Sequence, residues 1–213
     1  MKITHLVHAC LLVETGDARI LIDPGTMSEG FAELRDLDAV LVTRNHHDHF
    51  DKPKVSTLMA ANPEATLIVE QATADDAPES VDHHRIQVVS AGDTFKVNGI
   101  KIMTVGGTHA MIHPDIERTT NIGFYFTDSG LLHPGDDLTP PAIDVKLLAL
   151  PVSGPWLSLA DAVDFMRAIN PPVAFAMHEA ALTHPGFWYE TIDALKPMST
   201  KFQILKPGTP MEL

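Results

Sequence analysis

Residues 46–49 read His-His-Asp-His, three imidazoles and a carboxylate in four positions, directly behind the apolar run AVLVT at 39–43 and the pair Arg44-Asn45. The same juxtaposition recurs down the chain. IKIMTV at 100–105 is followed by His109, GLL at 130–132 by His133 and Asp136, and VAFAM at 173–177 by His178. Imidazole nitrogen and carboxylate oxygen are the donor set of zinc and its neighbours, and the same groups serve as general acids and bases. Each residue also has a plainer reading. His109 or His178 alone reads as a strand-end histidine bonded to a nearby carbonyl, and Asp136 after Gly135 as a turn aspartate. His5 and the pair His83-His84 have no partner in the sequence and read as surface residues. The shared placement favours one metal centre, because strand ends of a layered α/β fold meet along a single rim where ligand sites form.

The elements that must present these residues are legible as short apolar runs between turn signals. Strands are expected near 3–7 and 10–13, then at 18–22 after the Gly16-Asp17 turn, and at 39–43 and 65–70. Pro53 opens a helix through Met59. Asn98-Gly99 and Asp128-Ser129-Gly130 mark two further hairpins, 94–105 and 122–132. Buried strands follow at 146–150 and 173–177, with a helix from Ser158, capped through Asp161, to Ile169, where Asn170-Pro171-Pro172 stops it. A last helix is read over 186–195 and a last strand over 202–205. Hairpin-rich strands with helices in each half predict two mixed sheets packed together with helices outside, as one domain over residues 1–213.

Composition narrows the function. The chain has 213 residues and no need of a staple to hold a core of that size. Fifteen Lys and Arg against 28 Asp and Glu leave a net charge of −13, which repels nucleic-acid backbones. The single cysteine, Cys10, excludes an intrachain disulfide and a cysteine-based zinc finger. The N-terminus carries no export signal and no apolar stretch is long enough to span a bilayer, so a cytoplasmic protein with no membrane partner is expected.

With these residues in view, the chain resembles the metallo-β-lactamase superfamily. Thr43-Arg44-Asn45-His46-His47-Asp48-His49 is similar to the family's strand-terminal His-x-His-x-Asp-His motif. Residues 21–25 (LIDPG), 107–109 (GTH), 133–136 (HPGD) and Met177-His178 resemble its other motifs and come in family order. Val7-His8-Ala9 together with His133-x-Gly-Asp resembles the UlaG-like branch of metal-dependent hydrolases, which includes an ascorbate-phosphate lactonase. The resemblance implies a four-layer αββα sandwich. It implies that His46 and His109 serve one metal site, that Asp48, His49 and His178 serve a second, and that Asp136 bridges them. Asp23 and His133 would stand behind the ligands. The sequence departs from the motif at Arg44, which occupies its first histidine; a guanidinium has no lone pair for a metal and carries a fixed charge. His47 falls at a variable motif position and is not read as its replacement. One divalent metal per chain is therefore expected, zinc or else manganese.

The implied chemistry is hydrolysis of a small ester, lactone or phosphodiester-type substrate by a metal-activated water, with Asp48 orienting that water and accepting its proton and either the metal or Arg44 polarising the substrate oxygen. His8, His113 and Asn121 are candidate substrate-side residues, and Trp156 could wall the pocket or pack beneath a helix. The competing class is a metal-poor, catalytically impaired homologue that binds a ligand, which Arg44 supports. A nuclease is disfavoured by the charge. The substrate and any homo-oligomeric assembly stay open at this level.

Overall fold

A computed structural model describes all 213 residues. Fourteen strands and four α-helices follow one another as β1 (Lys2–His5), β2 (Leu11–Thr15), β3 (Ala18–Ile22), β4 (Ala39–Val42), α1 (Lys52–Ala61), β5 (Thr66–Val69), α2 (Gln71–Asp75), β6 (Ile86–Val88), β7 (Thr94–Val97), β8 (Ile100–Gly106), β9 (Ile122–Phe126), β10 (Leu131–His133), β11 (Leu147–Pro151), α3 (Leu159–Ile169), β12 (Val173–Met177), α4 (Pro185–Leu195), β13 (Lys201–Gln203) and β14 (Met211–Glu212). They form two seven-stranded mixed sheets, ordered β14-β1-β2-β3-β4-β5-β6 and β13-β12-β11-β10-β9-β8-β7. In each, antiparallel hairpins lead into a run of parallel strands, β3 to β6 in the first and β10 to β13 in the second.

The apolar runs are unbroken because both faces of the strands are covered. Ala39 and Leu41 of β4 point into the layer between the sheets, where they meet Phe124, Phe126, Ala149, Phe175 and Met177 of the second sheet. Val40 and Val42 point the other way, onto Val55, Leu58 and Met59 of α1. The second sheet repeats the pattern, with Leu148, Leu150, Ala174 and Ala176 packing on Val163, Phe165 and Met166 of α3 and Ile192 of α4. Three apolar layers thus separate four layers of structure, helix, sheet, sheet, helix, which is the expected αββα sandwich.

Local chemistry sets the helix ends. The Asp51 carboxylate accepts from Lys54 N–H at the start of α1, with Pro53 in its first turn. Ser158 and Asp161 form a reciprocal capping box on α3, and Asn170 ends that helix in the left-handed region at φ 52°. Several features differ from the sequence reading, among them the short helix α2, which it did not expect, and β13, which ends at Gln203 rather than at Leu205. Strand β14, two residues long, exists because it pairs antiparallel with β1, and such a short segment has no periodicity of its own. His5 is not a surface residue: it is 3% exposed, because its strand is covered on both faces.

Candidate metal centre

The ends of β3, β4, β8, β10 and β12 and the β1–β2 turn meet on one rim of the sandwich, and the polar residues they carry are buried there: His8, Asp23, Arg44, His49, His109, His133, Asp136 and His178. The two loops at the ends of β3 and β4 lock together. Thr26 N–H donates to His47 O at 2.8 Å and Asp51 N–H to Pro24 O at 2.9 Å. Gly25 makes this approach feasible, since a Cβ there would lie 1.7 Å from the Asp48 carbonyl oxygen. On the other sheet Gly135, at φ 61°, brings the segment before Asp136 against Thr43 and Asn121; a Cβ would lie 2.4 Å from Asn121 Oδ1.

Four donor atoms converge in this cleft. His49 Nε2 lies 3.3 Å from His178 Nε2 and 3.2 Å from Asp136 Oδ1, and His178 Nε2 lies 3.3 Å from the same oxygen. Asp48 Oδ2 is 3.6 Å from both imidazole nitrogens. A tetrahedral ion with ligands at 2.0–2.2 Å has donor–donor edges of about 3.3–3.6 Å, so these separations fit a four-coordinate divalent cation. The proton inventory agrees. His49 Nδ1 donates to Asp23 Oδ2 at 2.7 Å, so in the neutral ring Nε2 is a bare lone pair facing a carboxylate oxygen and another imidazole nitrogen. Asp136 Oδ1 is buried and has no hydrogen-bond partner. A cation between these acceptors resolves the arrangement, as does a second proton on His49.

The other side of Asp136 is closed by Arg44. Arg44 Nη1 donates to Asp136 Oδ2 at 2.7 Å, with both side chains almost completely buried. His109 Nε2 lies 3.2 Å from that same oxygen, and Arg44 Nη2 contacts the His46 ring. Arg44 and His109 thus share one oxygen of Asp136, with the His46 ring against Arg44, while His49 and His178 share the other oxygen. His47 is exposed and takes no part.

The remaining sequence candidates separate. Asp23 stands behind His49 and is held by Thr43, whose N–H and hydroxyl each donate to it at 2.8 Å. His133 accepts from Gly135 N–H through Nδ1 and donates through Nε2 to Ala9 O at 2.8 Å, so it fixes a turn. Asn121 does not face a substrate: it is wholly buried, its amide donating to Pro134 O and its oxygen accepting from Asp136 N–H, both at 2.9 Å. His113 stays outside the cluster, because its ring accepts from Asp115 N–H in an exposed local turn. His8 is buried against Asp48 and His178 rather than lining the mouth. Together with Asp48, His49 and His178 it forms a set of donor atoms lying within 4.8 Å of one another. Trp156 walls the centre, its ring edge-on to His109 at 5.5 Å and to His178 at 5.6 Å. A cleft of about 650 Å³ opens beside the centre, lined by His46, Asn45, His47, Phe50 and Lys52 among others.

Electrostatics follow from burial and these partners. Burial opposes the charge on His49, but the Asp136 and Asp23 carboxylates outweigh it and hold the imidazole pKa well above its ordinary value. Burial likewise opposes ionisation of Asp136, and His49 and His178 more than reverse this, so its carboxyl stays well below the usual range. Asp48 is lowered as well, against burial, by the hydrogen bond from His8 and the charge of His49. Burial takes His8 down to about 4, leaving it neutral. Burial and the neighbouring Arg44 charge lower His46.

Residues 2–178 match the β-lactamase superfamily domain. The chain is 37% identical over 211 residues to protein Rv0786c of Mycobacterium tuberculosis, spanning 96% of each. It is 24% identical to a UPF0173 metal-dependent hydrolase of Aeropyrum pernix, over 99% of this chain and 97% of that one. Among solved structures, a metallo hydrolase of Ignicoccus hospitalis, Igni18, superposes with a TM-score of 0.74 at 19% identity, covering 100% of this chain and 98% of its own. The metallo-β-lactamase fold protein YhfI of Bacillus subtilis superposes with a TM-score of 0.75 at 15% identity, covering 99% and 98%. At these identities the two structures share the fold.

Proposed function

The chain belongs to the metallo-β-lactamase superfamily, and on that premise we propose that it is a hydrolase working with one divalent metal held by Asp48, His49, Asp136 and His178. The observation that carries this reading is the spacing of these donor atoms: His49 Nε2, His178 Nε2 and Asp136 Oδ1 lie 3.2–3.3 Å from one another, and Asp48 Oδ2 lies 3.6 Å from both imidazole nitrogens. Two imidazoles and two carboxylates at tetrahedral spacing suit zinc; manganese, the other candidate, favours six oxygen-rich ligands. When bound, the metal supplies Lewis acidity and lowers the pKa of a coordinated water towards neutrality.

The chain's own residues do the rest. Asp48 is the most exposed of the four ligands, at 18%, and is placed to orient an entering water and accept its proton. Asp136 divides its oxygens between the ligand set and Arg44. The guanidinium occupies the second-cation end of that bridge, with His46 and His109 beside it, so a second metal is not needed to balance the carboxylate. Its charge, next to the cleft through His46, is available to polarise a carbonyl or phosphoryl oxygen. Trp156 shields the His109 and His178 rings from water. The substrate class we assign is a small ester, lactone or phosphodiester, sized to the adjoining cleft. The segments Val7-His8-Ala9 and His133-Pro134-Gly135-Asp136 support a kinship with the UlaG-like branch as part of this proposal. A metal-poor binding protein is the weaker reading, because the four-donor set is intact.

Elemental analysis after metal loading, followed by hydrolysis assays on a lactone and an aryl phosphodiester with and without chelator, tests the proposal. We expect one metal per chain and turnover that the chelator abolishes. A chain that takes up no metal refutes the hydrolase reading, and two tightly held metals refute the role given to Arg44.

A further inference from the structure

We propose that His8 is a positioning residue for the metal centre: its Nε2–H donates to Asp48 Oδ2 and holds that oxygen at the fourth corner of the ligand set. This rests on the one-metal reading above. Two of the other ligands already have a holder, and His178 Nδ1 has no hydrogen-bond partner. Asp23 fixes His49, and Arg44 fixes Asp136. For Asp48 the hydrogen bond from His8, 3.2 Å long, is the one that comes from outside the ligand set. While Nε2–H donates to that carboxylate oxygen, the nitrogen has no lone pair for a cation. The His8 ring also packs on the His178 ring, centroids 3.8 Å apart, which steadies a second ligand.

The backbone supplies independent support. Val7 and His8 are consecutive left-handed residues, at φ 68° and 59°, and neither is glycine. A β-branched residue in that region is costly, and such strain persists only where its surroundings over-determine it. Here they do. Val7 O accepts from Cys10 N–H and the Ser28 hydroxyl, both at 3.2 Å. His8 O accepts from His178 N–H at 2.8 Å and from His5 Nε2 at 3.0 Å. Ala9 O accepts from His133 Nε2 at 2.8 Å, and His8 N–H donates to Glu179 Oε1 at 3.3 Å. Buried His5 and part-buried Glu179, which the metal ligation does not use, thus tie the β1–β2 turn of one sheet to the end of β12 in the other. The side chain that this strapped turn delivers is His8.

The test compares His8→Phe, which keeps a ring without the donor, with His8→Gln, whose amide N–H reaches about as far as Nε2. The readouts are zinc affinity against a chromophoric chelator and the visible spectrum of the cobalt(II)-loaded protein. Losing an outer hydrogen bond to a ligand weakens metal binding about 10–100-fold, so His8→Phe should show that loss and His8→Gln should stay within roughly threefold of the unmodified chain. The cobalt spectrum should keep its tetrahedral bands in both. Should His8→Phe not fold, His8→Asn takes its place with the same expectation, since asparagine tolerates the left-handed backbone and is too short to reach Asp48. Unchanged affinity in the donor-less variant overturns the assignment. So does a His8→Gln as weak as His8→Phe, or a cobalt spectrum showing a lost ligand. An unmodified chain that binds no zinc instead overturns the one-metal reading beneath it.

Discussion

Replacing Arg44 by methionine keeps most of the side-chain volume and removes the charge, so it isolates what the guanidinium does for Asp136. The pair is 2.7 Å apart with side chains 0% and 2% exposed. Two unit charges about 4 Å apart attract by about 4 kcal/mol at an effective dielectric near 20. Breaking a buried pair by removing one partner costs about 3–5 kcal/mol, most of it the penalty of the carboxylate left behind. For a chain of this size each kcal/mol moves the melting temperature by about 2–4 °C, which gives a fall of about 6–20 °C in the metal-free protein. His109 and His49 also face Asp136, which places the expectation in the lower half of that range. Thermal melts in chelator measure it. Zinc should stabilise Arg44→Met more than the unmodified chain, because the ion then meets an uncompensated carboxylate and no opposing guanidinium. Arg44→His should restore a neutral donor beside His46 and His109 and raise metal content from one towards two per chain. A metal-free Arg44→Met within about 1 kcal/mol of the unmodified chain would refute the claim that Arg44 supports Asp136. An Arg44→His that still holds one metal would show that something other than the guanidinium excludes the second.

Three further outcomes follow from the geometry. Asp136→Ala should weaken zinc binding by titration far more than His109→Ala, because Asp136 Oδ1 faces His49 and His178 while His109 faces the oxygen that Arg44 holds; equal losses would contradict this division. The folded-state pKa of His49 is raised, so in the metal-free protein its contribution is fully present below the ordinary value of 6.5 and is lost as pH rises through the folded value. Zinc competes for the same nitrogen, so apparent zinc affinity should increase with pH while the metal-free melting temperature declines on the alkaline side; a pH-independent affinity between pH 6 and 8 would contradict it. At α3, Ser158→Ala should lower stability by about 1 kcal/mol in urea melts. The Asp161 carboxyl is held below its ordinary 3.8 by hydrogen bonds from Ser158, so the difference between the two proteins should shrink as pH falls through the folded value of Asp161.

The order of layers was legible from the chain alone. Runs such as AVLVT, VAFAM and LLALP have no polar face, which is what a strand covered on both sides requires, and the turn signals at Asn98-Gly99 and Asp128-Ser129-Gly130 sit where hairpins form. The residue types behind those runs also showed which chemistry the rim could hold, since a histidine or aspartate declares its donor atoms wherever it is placed. What each donor faces was not legible, because hydrogen-bond partners come from segments far apart in sequence. Asn121 and His133 look like site residues by position, yet their polar atoms are satisfied by Pro134, Asp136, Gly135 and Ala9, and they shape turns instead. His5 looks like a surface residue, yet its strand lies between two others and its ring reaches the backbone of His8. His8 and Glu179 lie 171 positions apart and meet only because β1 and β12 end on the same rim. Side-chain chemistry is a property of the residue and can be read in order along the chain. The distances that turn it into a centre are set by how the two sheets pack, which no local pattern encodes.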